Sequence, residues 1–129
     1  METTKKIIQT TDAPQAIGPY SQAVMVGNTL YCSGQIAINP KTNELVLDSI
    51  QLETHQVLKN VGAVLNAAGC DYDDVVKVSI FMASMDDYAE VNKVYAEYFT
   101  KNPPAREAVA VKTLPKNVNV EISVIAVKQ

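Results

Sequence analysis

The chain switches between short runs with apolar residues at every second position and longer runs in which they return every third or fourth, and these switches predict its elements. Lys5 to Gln9 reads as a short edge strand. Asp12-Ala13-Pro14 and Ile17-Gly18-Pro19 then break regular structure twice, so a structured loop leads up to Tyr20. Gln22 to Val26 and Thr29 to Cys32 are β-prone and are joined by Gly27-Asn28, a pair that tolerates positive φ, which predicts a hairpin. Asn39-Pro40-Lys41-Thr42-Asn43 is a turn. Ile50, Val57, Leu58, Val61, Val64, Leu65 and Ala68 recur at helical spacing, with Asp48 and Gln51 resembling a capping box before them and Gly69 placed to stop the helix.

Val75, Val76, Val78, Ile80, Phe81 and Met82 form a dense run with few polar interruptions, the pattern of a central strand covered on both faces. Ser84 or Asp86 caps a second helix, whose core stripe is Tyr88, Val91, Tyr95, Tyr98 and Phe99, and Pro103-Pro104 ends it. From Ala105 to Val111, alternation sets Arg106, Ala108 and Ala110 on one face and Glu107, Val109 and Val111 on the other. Leu114-Pro115-Lys116-Asn117 interrupts, and Val118 to Val127 is the last strand, with Asn119, Glu121 and Ser123 opposite Val118, Val120, Ile122 and Val124. Helices set between strands predict an α+β domain, a mixed β-sheet with two helices packed on one face. Partner subunits are then left to cover the sheet's other face. At 129 residues the chain has the length of one domain, residues 1–129.

Composition narrows the function. Eleven Lys and Arg against 14 Asp and Glu leave a net charge of -3, so the basic footprint of a nucleic-acid binder is missing and nucleic acid is an unlikely partner. No stretch reaches the length of a membrane span and Met1 to Thr11 is mixed and polar, which points to a cytoplasmic protein. Cys32 and Cys70 fit no metal spacing and read as reduced thiols. His55 is the only imidazole, falls on the flank of the first helix's apolar arc and reads as a solvated surface residue, which leaves little for a zinc site or a Ser-His-Asp triad.

The candidate chemistry lies in the last quarter. Arg106 opens one strand and Glu121 stands inside another, and charges in such places are paired with each other, turned to water or kept for a ligand. Gly34 in Ser33-Gly34-Gln35-Ile36 is either a β-bulge or a point where a ligand approaches the backbone, with Ser33 as a hydroxyl partner and the Gly34 N–H as a donor. Tyr20 either ties its hydroxyl to backbone or faces a pocket, and Asn92, on the second helix's stripe, is either a structural bracket or a pocket residue.

Ala16-Ile17-Gly18-Pro19-Tyr20-Ser21-Gln22, Ser33-Gly34-Gln35-Ile36, Asn39-Pro40-Lys41-Thr42, Pro104-Ala105-Arg106, Leu114-Pro115-Lys116 and Val120-Glu121-Ile122 follow one another in the order and spacing of a known family. On these motifs, which span about Ala13 to Val127, the chain resembles the RidA/YjgF family of enamine/imine deaminases. The resemblance implies a chorismate-mutase-like fold, a homotrimer with sites between subunits, and cofactor-free hydrolysis of 2-imino or 2-enamino acids, such as 2-aminoacrylate and 2-iminopropionate, to 2-keto acids and ammonia. It implies that Arg106 grips the substrate carboxylate, that Glu121 activates water, and that Tyr20, Ser33, Gly34, Asn92 and Ala108 line the pocket, with no metal. One departure is that Glu107-Ala108 stands where many members carry Ser-Cys, which removes a thiol from the pocket. Two other readings remain beside the deaminase: a regulatory trimer that binds small 2-keto or amino acids, and a ribonuclease or translation inhibitor, against which the acidic balance and the single histidine count.

Overall fold

The computed structural model describes residues 4–129. Its strands are β1 (Lys5–Ile8), β2 (Ala23–Val26), β3 (Thr29–Gln35), β4 (Val75–Met82), β5 (Ala105–Ala110) and β6 (Val120–Val127), and its helices are α1 (Ile50–Ala67) and α2 (Tyr88–Tyr98). They form one mixed sheet in the order β1-β2-β3-β6-β4-β5, in which only β4 and β5 run parallel. The α+β class and the edge position of β1 are as the sequence predicts. The predicted hairpin forms, and Gly27 takes the positive φ of 58° that its tight turn requires.

α1 lies across β3 and β6, and α2 packs beside it. Val57, Leu58, Val61, Val64 and Leu65 are fully buried, as their spacing dictates, against Leu30, Val78, Ile80, Ile122 and Val124 of the sheet. The start of α1 differs from expectation. Ser49, not Asp48, is the N-cap, and its side chain accepts the Leu52 N–H at 3.1 Å. The capping box forms elsewhere, at Asp71 and Asp74 ahead of β4.

Two further expectations are corrected. β4 is one strand in from the edge, between β6 and β5, and it is not covered on both faces: Val78, Ile80 and Met82 are buried beneath the helices, whereas Ser79 and Phe81 lie half-buried on the other side. The opposite face of the sheet carries Ile7, Val24, Tyr31 and Ile125 as a row across four strands, with Tyr31 51% and Val109 43% exposed. His55 is not freely solvated either. Its Nδ1 lies 2.8 Å from the Tyr98 hydroxyl, and the two rings meet between α1 and α2.

Candidate active site on two faces of the sheet

The lateral register decides where the two charged residues point, because side chains paired across neighbouring strands share a face. Arg106 pairs with Val78, and Val78 with Val124; both valines are buried under the helices, so Arg106 points into the helical layer. Glu121 pairs with Phe81, and Phe81 with Val109, all on the uncovered face. Within one chain Arg106 and Glu121 therefore stand on opposite sides of the sheet. Among the described residues no carboxylate lies within ion-pair distance of Arg106, which removes the Arg106 to Glu121 salt bridge as an explanation of the pair.

α2 positions Arg106. Its Nη1 donates to Asn92 Oδ1 at 2.8 Å and its Nη2 to the Tyr88 hydroxyl at 2.7 Å. The guanidinium carbon lies 4.7 Å from the Tyr95 ring centroid and 5.7 Å from that of Tyr88. Such contacts are worth about 0.5–2 kcal/mol each and hold the plane of the fork. Burial raises the Tyr95 pKa while Arg106 pulls the other way, so the phenol stays neutral. Every partner of Arg106 is uncharged, which leaves its full positive charge for an anion. Asn92 is thus a bracket for the arginine, one of the two roles its position allowed. Tyr88, which the periodicity predicts for the core stripe, is half-buried and turns its hydroxyl to the guanidinium. Ala108 follows Arg106 on the same strand face and packs against the core.

On the other side, β3, β6 and the loop before β2 enclose a recess of about 310 Å³ lined by Ile17, Tyr20, Gly34, Ile36, Pro115 and Glu121, among others. The β3–β6 ladder is interrupted between Cys32 and Gln35, so Gly34 is both a bulge and a close-approach position. A Cβ at residue 34 would lie 2.5 Å from Oε2 of Glu121. Desolvation raises the Glu121 pKa above the ordinary carboxylate range, and among the described residues no side chain or backbone donor satisfies its carboxylate. Tyr20 is 55% exposed and lines this recess. Ser33 is less free than expected: its hydroxyl donates to the Ser21 carbonyl at 2.6 Å and anchors the loop that carries Tyr20.

Gln22 completes that anchoring. Its side chain accepts from Thr10 N at 2.7 Å and donates to the Thr10, Ala13 and Pro14 carbonyls, so a buried amide staples the whole loop. The sequence pattern predicts Gln22 as the first residue of a strand, whereas β2 begins at Ala23 and Gln22 is the loop's clasp. Glu107 points away from Arg106, as alternation requires, and bonds Ser79 and, at 2.9 Å, Lys77 on the uncovered face. The Ser79 hydrogen bond and then Lys77 hold its carboxyl below the ordinary range. Among the described residues no group of three His, Cys, Asp or Glu side chains is placed to hold a metal ion. Cys32 is buried, which pushes its thiol up to about 12 and leaves it inert.

A family model described as endoribonuclease L-PSP, which covers the RidA/YjgF proteins, matches residues 10–128. The chain belongs to the RidA/YjgF family. It is 48% identical over 124 residues to the 2-iminobutanoate/2-iminopropanoate deaminase of Mus musculus, covering 96% of this chain and 92% of that protein. The crystal structure of the YjgF gene product of E. coli has a TM-score of 0.91 at 44% identity and covers 96% of this chain and 99% of that one. E. coli TdcF with bound serine has a TM-score of 0.92 at 40% identity, again over 96% and 99% of the two chains. The α+β fold with its mixed sheet and two helices is therefore the family's. In this RidA/YjgF chain the sequence-predicted residues fall into two groups: Arg106, Asn92 and Ala108 with the helices, and Tyr20, Gly34 and Glu121, with Ser33 behind them, on the uncovered face.

Proposed function

We propose that this protein is a deaminase that hydrolyses 2-imino acids, and their 2-enamino tautomers, to 2-keto acids and ammonia, in a homotrimer whose sites combine Arg106 of one subunit with Glu121 of its neighbour. One observation carries the proposal: a cation held only by neutral partners and a desolvated, unsatisfied carboxylate stand on opposite faces of one sheet. Among the described residues neither has a partner of opposite charge, and a neighbouring copy seated on the uncovered face brings them together. The name of the mouse relative supports the reaction, and the serine bound to TdcF supports a small amino-acid-like ligand.

Arg106 binds the substrate carboxylate through charge-assisted hydrogen bonds, a geometry suited to its planar fork. An enamine substrate first takes a proton at carbon to become the iminium, the protonated form of the imine. Glu121 then removes a proton from water as the water oxygen bonds to C2 of the iminium, giving a carbinolamine. Glu121 passes that proton to the amine nitrogen, the C–N bond breaks, and ammonia leaves as the C2 hydroxyl returns its proton to Glu121 and becomes the ketone. The raised pKa of Glu121 makes it a better proton acceptor than an ordinary carboxylate. Tyr20 walls the recess, and the missing Cβ at Gly34 leaves room beside the base. The reaction calls on no cofactor or metal. The working location is the cytoplasm, in keeping with the absence, among the described residues, of any helix long and apolar enough to cross a membrane.

The test generates 2-iminopropionate in solution and follows pyruvate and ammonia. The wild type accelerates release over buffer, Arg106→Ala loses pyruvate affinity, and Glu121→Gln loses about 10²–10³-fold in turnover while it still binds pyruvate. No acceleration by the wild type would refute the enzyme. Pyruvate binding without acceleration would instead favour the regulatory trimer, and RNA binding that survives moderate salt would favour the ribonuclease reading.

A further inference from the structure

Arg106 carries five N–H groups, and the protein engages its fork at two atoms, Nη1 to Asn92 Oδ1 and Nη2 to the Tyr88 hydroxyl. A guanidinium can only donate, so the Tyr88 oxygen is the acceptor in the second contact. Its own proton is directed elsewhere, and among the described residues no acceptor takes it. Tyr88 is half-buried at the start of α2, so that proton is not sealed in the core. Tyr95 differs: its ring lies beneath the guanidinium, but its hydroxyl is buried without a partner.

We propose that Tyr88 is a substrate-binding residue, donating its hydroxyl proton to the same carboxylate that Arg106 grips. The inference rests on the carboxylate clamp of the proposed function and adds a neutral donor to it. A carboxylate offers about four lone-pair directions, so an oxygen bound by Nη2 has capacity left for a hydroxyl 2.7 Å from that nitrogen. Accepting from a cation polarises the phenol and strengthens the bond it donates. The pairing also matches ligand shape. A fork and a hydroxyl side by side suit a planar anion with two oxygens, so the site is built for 2-imino and 2-keto carboxylates over their esters or amides.

Tyr88→Phe removes only the hydroxyl and keeps the ring against the guanidinium. In the full-length protein, the pyruvate Kd and the KM for 2-iminopropionate rise about tenfold, the loss expected for one hydrogen bond to a charged group. The kcat stays within about threefold, because the donor acts equally on bound substrate and transition state. A Kd and KM equal to those of the wild type, or a fall in kcat at constant KM, would overturn the assignment. Arg106→Ala separates it from the reading beneath it. If that variant still binds pyruvate normally, the clamp itself fails and Tyr88 with it; if it loses pyruvate while Tyr88→Phe does not, only the role of Tyr88 fails.

Discussion

Glu53 and Glu121 are two carboxylates at the same end of β6, and the sheet separates their fates. Glu53, fully buried on α1, reaches the helix-covered side and is saturated: Oε2 accepts the Asn119 and Val120 N–H groups at 2.8 and 3.1 Å, and Oε1 accepts Asn119 Nδ2 at 2.8 Å. One residue later, Glu121 turns to the uncovered face and has no donor among the described residues. A carboxylate that holds the fold together spends its lone pairs on the fold. One kept for chemistry is left with its lone pairs free, at a cost in desolvation. The same contrast marks the cations, since Lys77 is paired with Glu107 whereas Arg106 meets only neutral acceptors.

The largest effect expected from this contrast is on stability. Glu53→Ala strands the buried N–H groups of Asn119 and Val120 and should cost about 2–4 kcal/mol in urea denaturation. Glu121→Ala should cost less than about 1 kcal/mol and abolish turnover instead. Equal destabilisation by the two would erase the distinction.

A smaller effect is the pH dependence. Desolvation raises the folded pKa of Glu121 above its unfolded value near 4.5, so between the two the native state binds the extra proton and stability falls as pH rises. Above the raised pKa the ionised carboxylate costs stability in full. Glu121→Gln should therefore be more stable than wild type at neutral pH, with a gap that closes as pH falls toward 4.5. The acid limb of kcat/KM should lie above 4.5 for the same reason. A gap that is constant with pH would show that Glu121 is ordinary.

Much of this was legible in the chain. The hairpin at Gly27-Asn28, the buried stripe of α1, the bulge at Gly34 and the outward turn of Glu107 all follow from local spacing and from the conformational habits of single residues. What local pattern could not reach was long-range. Glu53 looks like any polar helix residue, because its partners lie 66 and 67 positions away. Alternation placed Arg106 and Glu121 on faces of their own strands, but only the insertion of β4 between β5 and β6, with its register, relates those faces to each other. Ser49 displaced Asp48 as the cap by one residue, a shift that side-chain geometry decides. The contact of His55 is hidden from local pattern in the same way, since Tyr98, its partner, is 43 residues away on the other helix.

The central claim is that Arg106 and Glu121 work together only across a subunit boundary, and mixing two inactive variants tests it directly. Arg106→Ala and Glu121→Gln are unfolded together in equal amounts and refolded, so that subunits combine at random. If each site takes its arginine from one copy and its carboxylate from the next, about a quarter of the sites contain both intact residues, and about a quarter of wild-type turnover returns. Mixed assemblies that form but stay as inactive as either variant alone would contradict the account.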